Sequence, residues 1–398
     1  MNIRAFAAVR PNAEDAALVA AVPYDVVDTA EAKALASGNE KSFLHVSRPE
    51  IDLPEGTECS SPEAYAQARK ALDGLISSGT LIRDEEPKFY AYRQTMGEHS
   101  QTGIVATFDT KDYISGVLKQ HEKTRRDKED DRTRHIETLS AQTGPVFLTY
   151  RDDARIDQIV SEASQRKPLY DFVAPDGIGH TVWEICSASS AEGEKLVELF
   201  AGIPVAYIAD GHHRSAAASR YATEHNFEGE SRWFMAVIFP GTQLKILPYN
   251  RLVKDLNGLS DYEFLSRVSS AFKVGEKGER NCRMYFRGKW IDLSWSIPEG
   301  ADVVSSLDVS YLQDNLLAPI LGIGDPRTDQ RISFMGGIRG DAELASKVDS
   351  GENAVAFAME PVTVDEMMSI ADAGAIMPPK STWFEPKLRS GLVIHKLD

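Results

Sequence analysis

An acid, a glycine, two imidazoles and a guanidinium stand in immediate succession at Asp210-Gly211-His212-His213-Arg214, after the apolar residues Ile208-Ala209 and before an alanine-rich stretch through Tyr221. That order fits an anion-binding turn between a strand and a helix, because the first amides of a helix and its positive dipole end attract phosphate. Gly211 permits the tight turn and a close phosphate approach, and Arg214 adds charge-assisted contacts. Asp210 has two readings, a helix cap or a ligand for Mg²⁺ that bridges nucleotide phosphates. His212 and His213 point about 100° apart on a helix, so the pair does not chelate one zinc ion. One of them is suited to touch phosphate or shuttle a proton while the other packs against the sheet.

A second cluster runs His121-Glu122-Lys123-Thr124-Arg125-Arg126, continued by Asp127, Asp131 and Arg132. On a helix Glu122 and Arg125 share a face at three-residue spacing, as do Lys123 and Asp127 at four, and a solvated, ion-paired helix is the plain reading. Folded against the turn, Glu122 would orient or deprotonate a substrate hydroxyl, and Lys123 or Arg125 would neutralise a transferring phosphate. Pro23-Tyr24-Asp25-Val26 sets a ring and a carboxylate after a constrained, extended-looking backbone, where Tyr24 and Asp25 either wall a nucleotide pocket or shape the first domain. In Met377-Pro378-Pro379-Lys380-Ser381-Thr382-Trp383-Phe384-Glu385-Pro386-Lys387, which combines prolines, two lysines, two hydroxyls and two aromatics, a packed clasp accounts for the prolines and aromatics, and an accessory functional loop accounts for Lys380 and Ser381. Gly336-Gly337-Ile338-Arg339-Gly340 is a glycine-rich turn that approaches an anion only if its flanking strands allow it.

Regular elements must position these groups. Val205 to Ala209 reads as a buried strand, with Leu196 to Ala201 as the helix before it and Gly202 as that helix's stop. Residues 62–78 form an amphipathic pattern with Ala64, Ala68, Leu72 and Leu75 on one stripe. Strands are expected at 89–92, 103–108, 144–150, 233–239, 282–286, 289–293 and 355–359, and helices at 262–272, 307–317 and 364–373. The alternation implies an α+β, multidomain mixed α/β chain. Three regions are expected: 1–110, an N-terminal α/β region; 111–250, a central phosphate- or nucleotide-binding region; and 251–398, a C-terminal α+β region packed on the core.

Composition narrows the partners. With 42% hydrophobic and 26% charged residues the 398-residue chain is neither disordered nor fibrous. A net charge of -16 opposes unaided attraction to a nucleic-acid backbone. The three cysteines, Cys59, Cys186 and Cys282, are scattered and lack metal-ligand spacing, which fits a reducing, cytoplasmic setting. No window supplies a charge-free membrane span, and a homodimer is left open.

Val22-Pro23-Tyr24-Asp25-Val26-Val27, His121-Glu122-Lys123-Thr124, Asp210-Gly211-His212-His213-Arg214 and Met377 to Thr382 with Gly391-Leu392, in this order, resemble the bacterial domain-of-unknown-function family numbered 1015 across nearly the whole chain. The central turn also resembles that of the partition-protein and sulfiredoxin superfamily, which implies a nucleotide-binding core, with Gly211 and Arg214 matching the phosphate-binding glycine and arginine. Sulfiredoxins carry a cysteine after that glycine; His212 stands there, so sulfinic acid reduction is not implied. The free-serine kinases of the superfamily match at Asp210, Gly211, His212 and Arg214, depart at His213, and leave Glu122 as a chemical candidate for their glutamate. The resemblance implies a magnesium- and nucleotide-dependent kinase, using ATP or ADP, for a small hydroxyl metabolite such as a free amino acid. Its rivals are a non-catalytic nucleotide-binding regulatory or interaction protein and a phosphate-ester hydrolase.

Overall fold

The computed structural model describes residues 1–398. It has the mixed helix and sheet content expected, divided between two units, Met1–Leu244 with Pro386–Asp398, and Lys245–Glu385.

The first unit is built on a nine-stranded mixed sheet. Its strands are β1 (Ile3–Arg4), β2 (Lys88–Met96), β3 (His99–Asp109), β4 (Leu118–Lys119), β5 (Val146–Tyr150), β6 (Tyr170–Val173), β7 (Gly179–Ser187), β8 (Ala206–Asp210) and β9 (Trp233–Pro240). The order is β4-β8-β5-β9-β3-β2-β7-β6, with β1 also pairing β3. Only β4 with β8 and β5 with β9 are parallel. β5 and β9 lie at the centre and are nearly continuous apolar runs, as strands covered on both faces must be. β2 and β3 form a hairpin through Gly97, whose φ of 59° suits the first central residue of a two-residue turn.

The expected boundary near residue 110 therefore falls inside this sheet, since β3 on one side pairs with β9 on the other. The final residues also depart from the expected C-terminal region. Ile394 bridges Val9, Ser390 bridges Ala21, and His395 and Lys396 pair with Gln142 and Ala141. Backbone pairing thus holds Pro386–Asp398 in the first unit and delivers Lys387, Arg389 and Ser390 to it.

Three helices bear on the site: α1 (Pro62–Ser77), α2 (Arg126–Leu139) and α3 (His212–Glu224). α1 starts where Ser61 accepts from the Ala64 amide and Pro62 fills the first turn, and it packs on α2, which packs on α3. The charge run is not helical from His121 as the spacing predicts; residues 121–125 form a loop and the helix begins at Arg126. The faces expected to join Glu122 with Arg125, and Lys123 with Asp127, do not exist. Pro23 to Val27 likewise forms a turn and bend in place of an extended segment.

The second unit holds a six-stranded antiparallel sheet: β10 (Tyr249–Val253), β11 (Lys273–Val274), β12 (Arg280–Phe286), β13 (Lys289–Trp295), β14 (Ile332–Gly336) and β15 (Val355–Met359), ordered β11-β13-β12-β15-β10-β14. Leu252, Tyr285, Met335, Leu344, Ala356 and Ala358 form one core cluster there. The helix expected over 307–317 forms as an α-helix at Asp308–Leu312 that continues as a π-helical stretch at Gln313–Leu317.

Candidate functional site

The apolar strand β8 stops at Asp210 and α3 begins at His212, so Gly211 alone must turn the chain. It does so at φ 92° and ψ 30°, a left-handed conformation that favours glycine. The position is crowded as well: a Cβ on Gly211 would lie 3.0 Å from Arg214 Nε, because the guanidinium folds back over the turn. One terminal nitrogen of Arg214 donates to the Pro145 carbonyl and another lies 3.4 Å from Asp210 Oδ2. Its Nε is buried without a hydrogen-bond partner.

Asp210 is not the cap that the sequence left open, since the cap position is Gly211 and no side chain caps α3. Its Oδ2 lies 3.5 Å from Lys387 Nζ as well as near Arg214. Burial raises the affinity of the Asp210 carboxyl for a proton, yet the Lys387 and Arg214 cations outweigh it and hold the group well below the usual carboxylate range. These two cations occupy the environment that a Mg²⁺ ion would need. The donor set around Asp210 does not fit a protein-held Mg²⁺ site, which calls for oxygen ligands rather than ammonium and guanidinium neighbours.

The loop after β4 reaches the turn through sheet register. Leu118 and Lys119 pair in parallel with Ala206 and Tyr207, so the chain beyond Lys119 leaves the sheet in the same direction as Asp210. The rings of His121 and His212 meet edge to face with centroids 4.6 Å apart. One ligand atom each from His121, Glu122 and His212 fall within 4.8 Å of one another. Burial pushes His121 down to about 4, against the opposing pull of Asp210 and of a hydrogen bond with the Ile208 backbone. Burial lowers His212 further, helped by His121, and its Nε2 is buried without a partner. Both imidazoles are neutral at pH 7.

His213 faces elsewhere. Its Nε2 accepts from the Arg125 amide at 3.1 Å, which ties the loop to α3, and burial lowers its pKa. The Arg125 guanidinium pairs with Asp127 in the open, while Glu122 and Lys123 are exposed. Thus Glu122 and the backbone of Arg125 come to the turn, whereas the charged head of Arg125 is spent on its own neighbour.

Behind Arg214 lies a narrow cleft of about 570 Å³, counted out to open solvent, lined by Tyr24, Arg132, His135, Thr143, Arg214 and Ser390 among others. The Arg132 guanidinium stacks on the Tyr24 ring at 4.0 Å and pairs with Asp131 at 2.7 Å; Tyr65 donates to the same carboxylate. Burial, with Asp25 adding to it, pushes the Tyr24 phenol up to about 12. Lys380 and Ser381 belong to the second unit, where Ser381 Oγ donates to the Pro378 carbonyl at 2.7 Å and Lys380 Nζ sits over the Tyr249 ring.

Three participants are visible in the sequence without the part they play at the turn. His121 heads the charge run and the His121-Glu122-Lys123-Thr124 motif, and a histidine next to a glutamate is the signal that marks it as a ligand candidate. Lys387 ends the proline-rich segment singled out in the sequence, but its approach to Asp210 from the far end of the chain is set by strand pairing that no local pattern foretells. Arg132 hides among charges, and only its place on the buried face of α2 with Ile136 and Leu139 distinguishes it.

A family model described as "Protein of unknown function (DUF1015)" matches residues 3–310. No curated protein matches the chain. Among solved structures, a free serine kinase in complex with AMP is similar at 14% identity and a TM-score of 0.38, covering 74% of this chain and 92% of that one. A conserved hypothetical protein from Pyrococcus furiosus gives 14% identity and 0.34 over 73% and 95%. SbnI from Staphylococcus aureus, with a C-terminal truncation, gives 11% and 0.40 over 74% and 87%.

Proposed function

This chain belongs to the DUF1015 family of proteins of unknown function, and we propose that it is a nucleotide-dependent phosphotransferase for a small hydroxyl metabolite, with free amino acids the first acceptors to try. The observation that carries this reading is the left-handed Gly211 at the head of α3, covered by the Arg214 guanidinium with a buried Nε that has no partner within the protein. Helix amides and a guanidinium converging on one point favour a bound phosphate over a surface ion pair.

In this reading ATP or ADP places its phosphates against Gly211, His212 and Arg214, and His213 fixes the loop that borders them. Lys123, exposed on that loop, closes over the phosphates from outside. Asp210 keeps Lys387 and Arg214 aligned, and Mg²⁺ arrives with the nucleotide instead of being held in advance by the protein. Glu122 orients the acceptor from the loop beside the turn, and Tyr24, which lines the cleft behind Arg214, walls the nucleotide pocket with Asp25. Rate enhancement comes from positioning and charge neutralisation, without a covalent protein intermediate.

The test is a binding screen of the full chain with ATP, ADP, CTP and GTP, with and without Mg²⁺, followed by product analysis over a panel of hydroxyl metabolites. A phosphorylated acceptor supports transfer. Inorganic phosphate alone points to a hydrolase, and binding without turnover points to a regulatory protein.

A further inference from the structure

We propose that His121, Glu122 and His212 together hold one divalent transition-metal ion, of the class that includes Zn²⁺, Co²⁺ and Mn²⁺. Nitrogen from two imidazoles and oxygen from one carboxylate suit these borderline ions, whereas Mg²⁺ and Ca²⁺ favour all-oxygen sets.

Three observations converge on this place. The ligand atoms already lie within 4.8 Å of one another without an ion between them. A tetrahedral ion with bonds of about 2.0–2.2 Å keeps its ligand atoms about 3.3–3.6 Å apart, so side-chain adjustments of about an ångström complete the set. Next, His212 is 5% exposed and its Nε2 has no hydrogen-bond partner, a cost that a metal bond would remove. Finally, a hydrogen bond with the Ile208 backbone orients the His121 ring as second partners of metal-bound imidazoles do.

Local architecture makes the set rigid on one side and open on the other. His212 is fixed by the first turn of α3, and His121 by the parallel pairing of β4 with β8. Glu122 is exposed, so the ion enters from solvent and the carboxylate closes behind it. Three protein ligands leave at least one coordination position for water or a phosphoryl oxygen. Use of that position in transfer rests on the phosphotransferase reading; binding of the ion does not. In the metal-bound form Glu122 is a ligand and is no longer available as the acceptor's base.

The experiment uses the full chain, stripped with a chelator and titrated with Zn²⁺ against a chromophoric competitor and with Co²⁺ by visible absorption. One ion per chain is expected, with millimolar Mg²⁺ unable to displace it. Glu122→Gln should weaken Zn²⁺ binding at least 10-fold, and His212→Asn at least 100-fold. Because Glu122 is exposed, its variant keeps the fold, as circular dichroism and thermal unfolding would verify. Uptake well below one ion per chain, or Glu122→Gln binding as tightly as the unchanged protein, overturns the proposal. Nucleotide titration of the stripped protein with Mg²⁺ alone tests nucleotide binding separately, and product analysis over the hydroxyl-metabolite panel tests transfer, so metal binding and the phosphotransferase reading can fail independently.

Discussion

The turn at Asp210–Arg214 and the proline-rich loop at Met377–Trp383 carry similar chemistry in sequence, cations beside hydroxyls or imidazoles, yet they use it in opposite ways. In the loop the polar groups are consumed by the fold. Ser381 donates to the Pro378 carbonyl, Arg251 donates to the Lys380 carbonyl, and the Lys380 ammonium rests on the Tyr249 ring. At the turn, Arg214 Nε and His212 Nε2 are buried and unsatisfied. An unsatisfied buried donor or acceptor costs about 1–3 kcal/mol, and the proposed phosphate and metal ligands would supply the missing partners at this helix start. The contrast separates a clasp from a site more sharply than residue type does.

Removing the groups at each place tests that contrast most strongly. Arg214→Ala is expected to weaken nucleotide binding about 100-fold, equivalent to about 2.7 kcal/mol, while Lys380→Ala stays within about twofold by the same scale; calorimetric titration reads both. Equal losses in the two variants would erase the distinction between the regions.

The glycines sharpen it next. Gly211→Ala must adopt a left-handed conformation that costs roughly 1–2 kcal/mol and must push Arg214 away. Gly336→Ala, at φ -61°, meets no such strain but drives a Cβ to 2.9 Å from the Trp383 ring. Both should lower the melting temperature, and only Gly211→Ala should lower nucleotide affinity. Unaltered affinity in Gly211→Ala would remove the turn from the phosphate site.

Buried polarity in the second unit gives a third comparison. Asp308 Oδ1 there is buried without a hydrogen bond, 3.8 Å from an Arg280 guanidinium nitrogen, and burial outweighs that cation and raises the carboxyl to about 6. A carboxyl whose folded pKa is raised favours folding at low pH, and that contribution is lost as pH rises from 3.8 through 6. Asp308→Asn should therefore stabilise the protein above pH 6 by about 1–3 kcal/mol and have no such effect below pH 4. Denaturant unfolding at pH 8 and pH 4 checks this; destabilisation at pH 8 would mean that Asp308 is used rather than merely tolerated.

The smallest expected effect concerns the histidines at the turn. His121 and His212 are neutral because burial depresses both, so nucleotide affinity should change less than about threefold between pH 8 and pH 6. A steep rise in affinity below pH 6.5 would show that imidazolium binds the phosphates. Folding stability behaves differently: with folded pKa values below the unfolded value, their contribution is full above pH 6.5 and falls as pH drops toward 4.

Much of this was legible because the relevant forces are local. An apolar strand, a glycine and an alanine-rich run specify the turn at Gly211 within a dozen residues, and the strand expected at 355–359 appears as Val355–Met359. What escaped detection depends on long-range pairing. The charge run looked helical from His121 because its spacing is compatible with ion pairs, but parallel pairing of β4 with β8 draws residues 121–125 into a loop. Lys387 reaches Asp210 only because the C-terminal segment pairs with Val9, Ala21 and Gln142. The boundary expected near 110 followed a change in composition, which carries no information about the pairing of β3 with β9.

The central claim, that Gly211 to Arg214 form a phosphate cradle, is tested most directly by calorimetric titration of the full chain with ATP and ADP in competition with pyrophosphate. The account predicts one nucleotide per chain, displaced by pyrophosphate. Absence of binding by every phosphorylated ligand, or binding that pyrophosphate does not disturb, would contradict it.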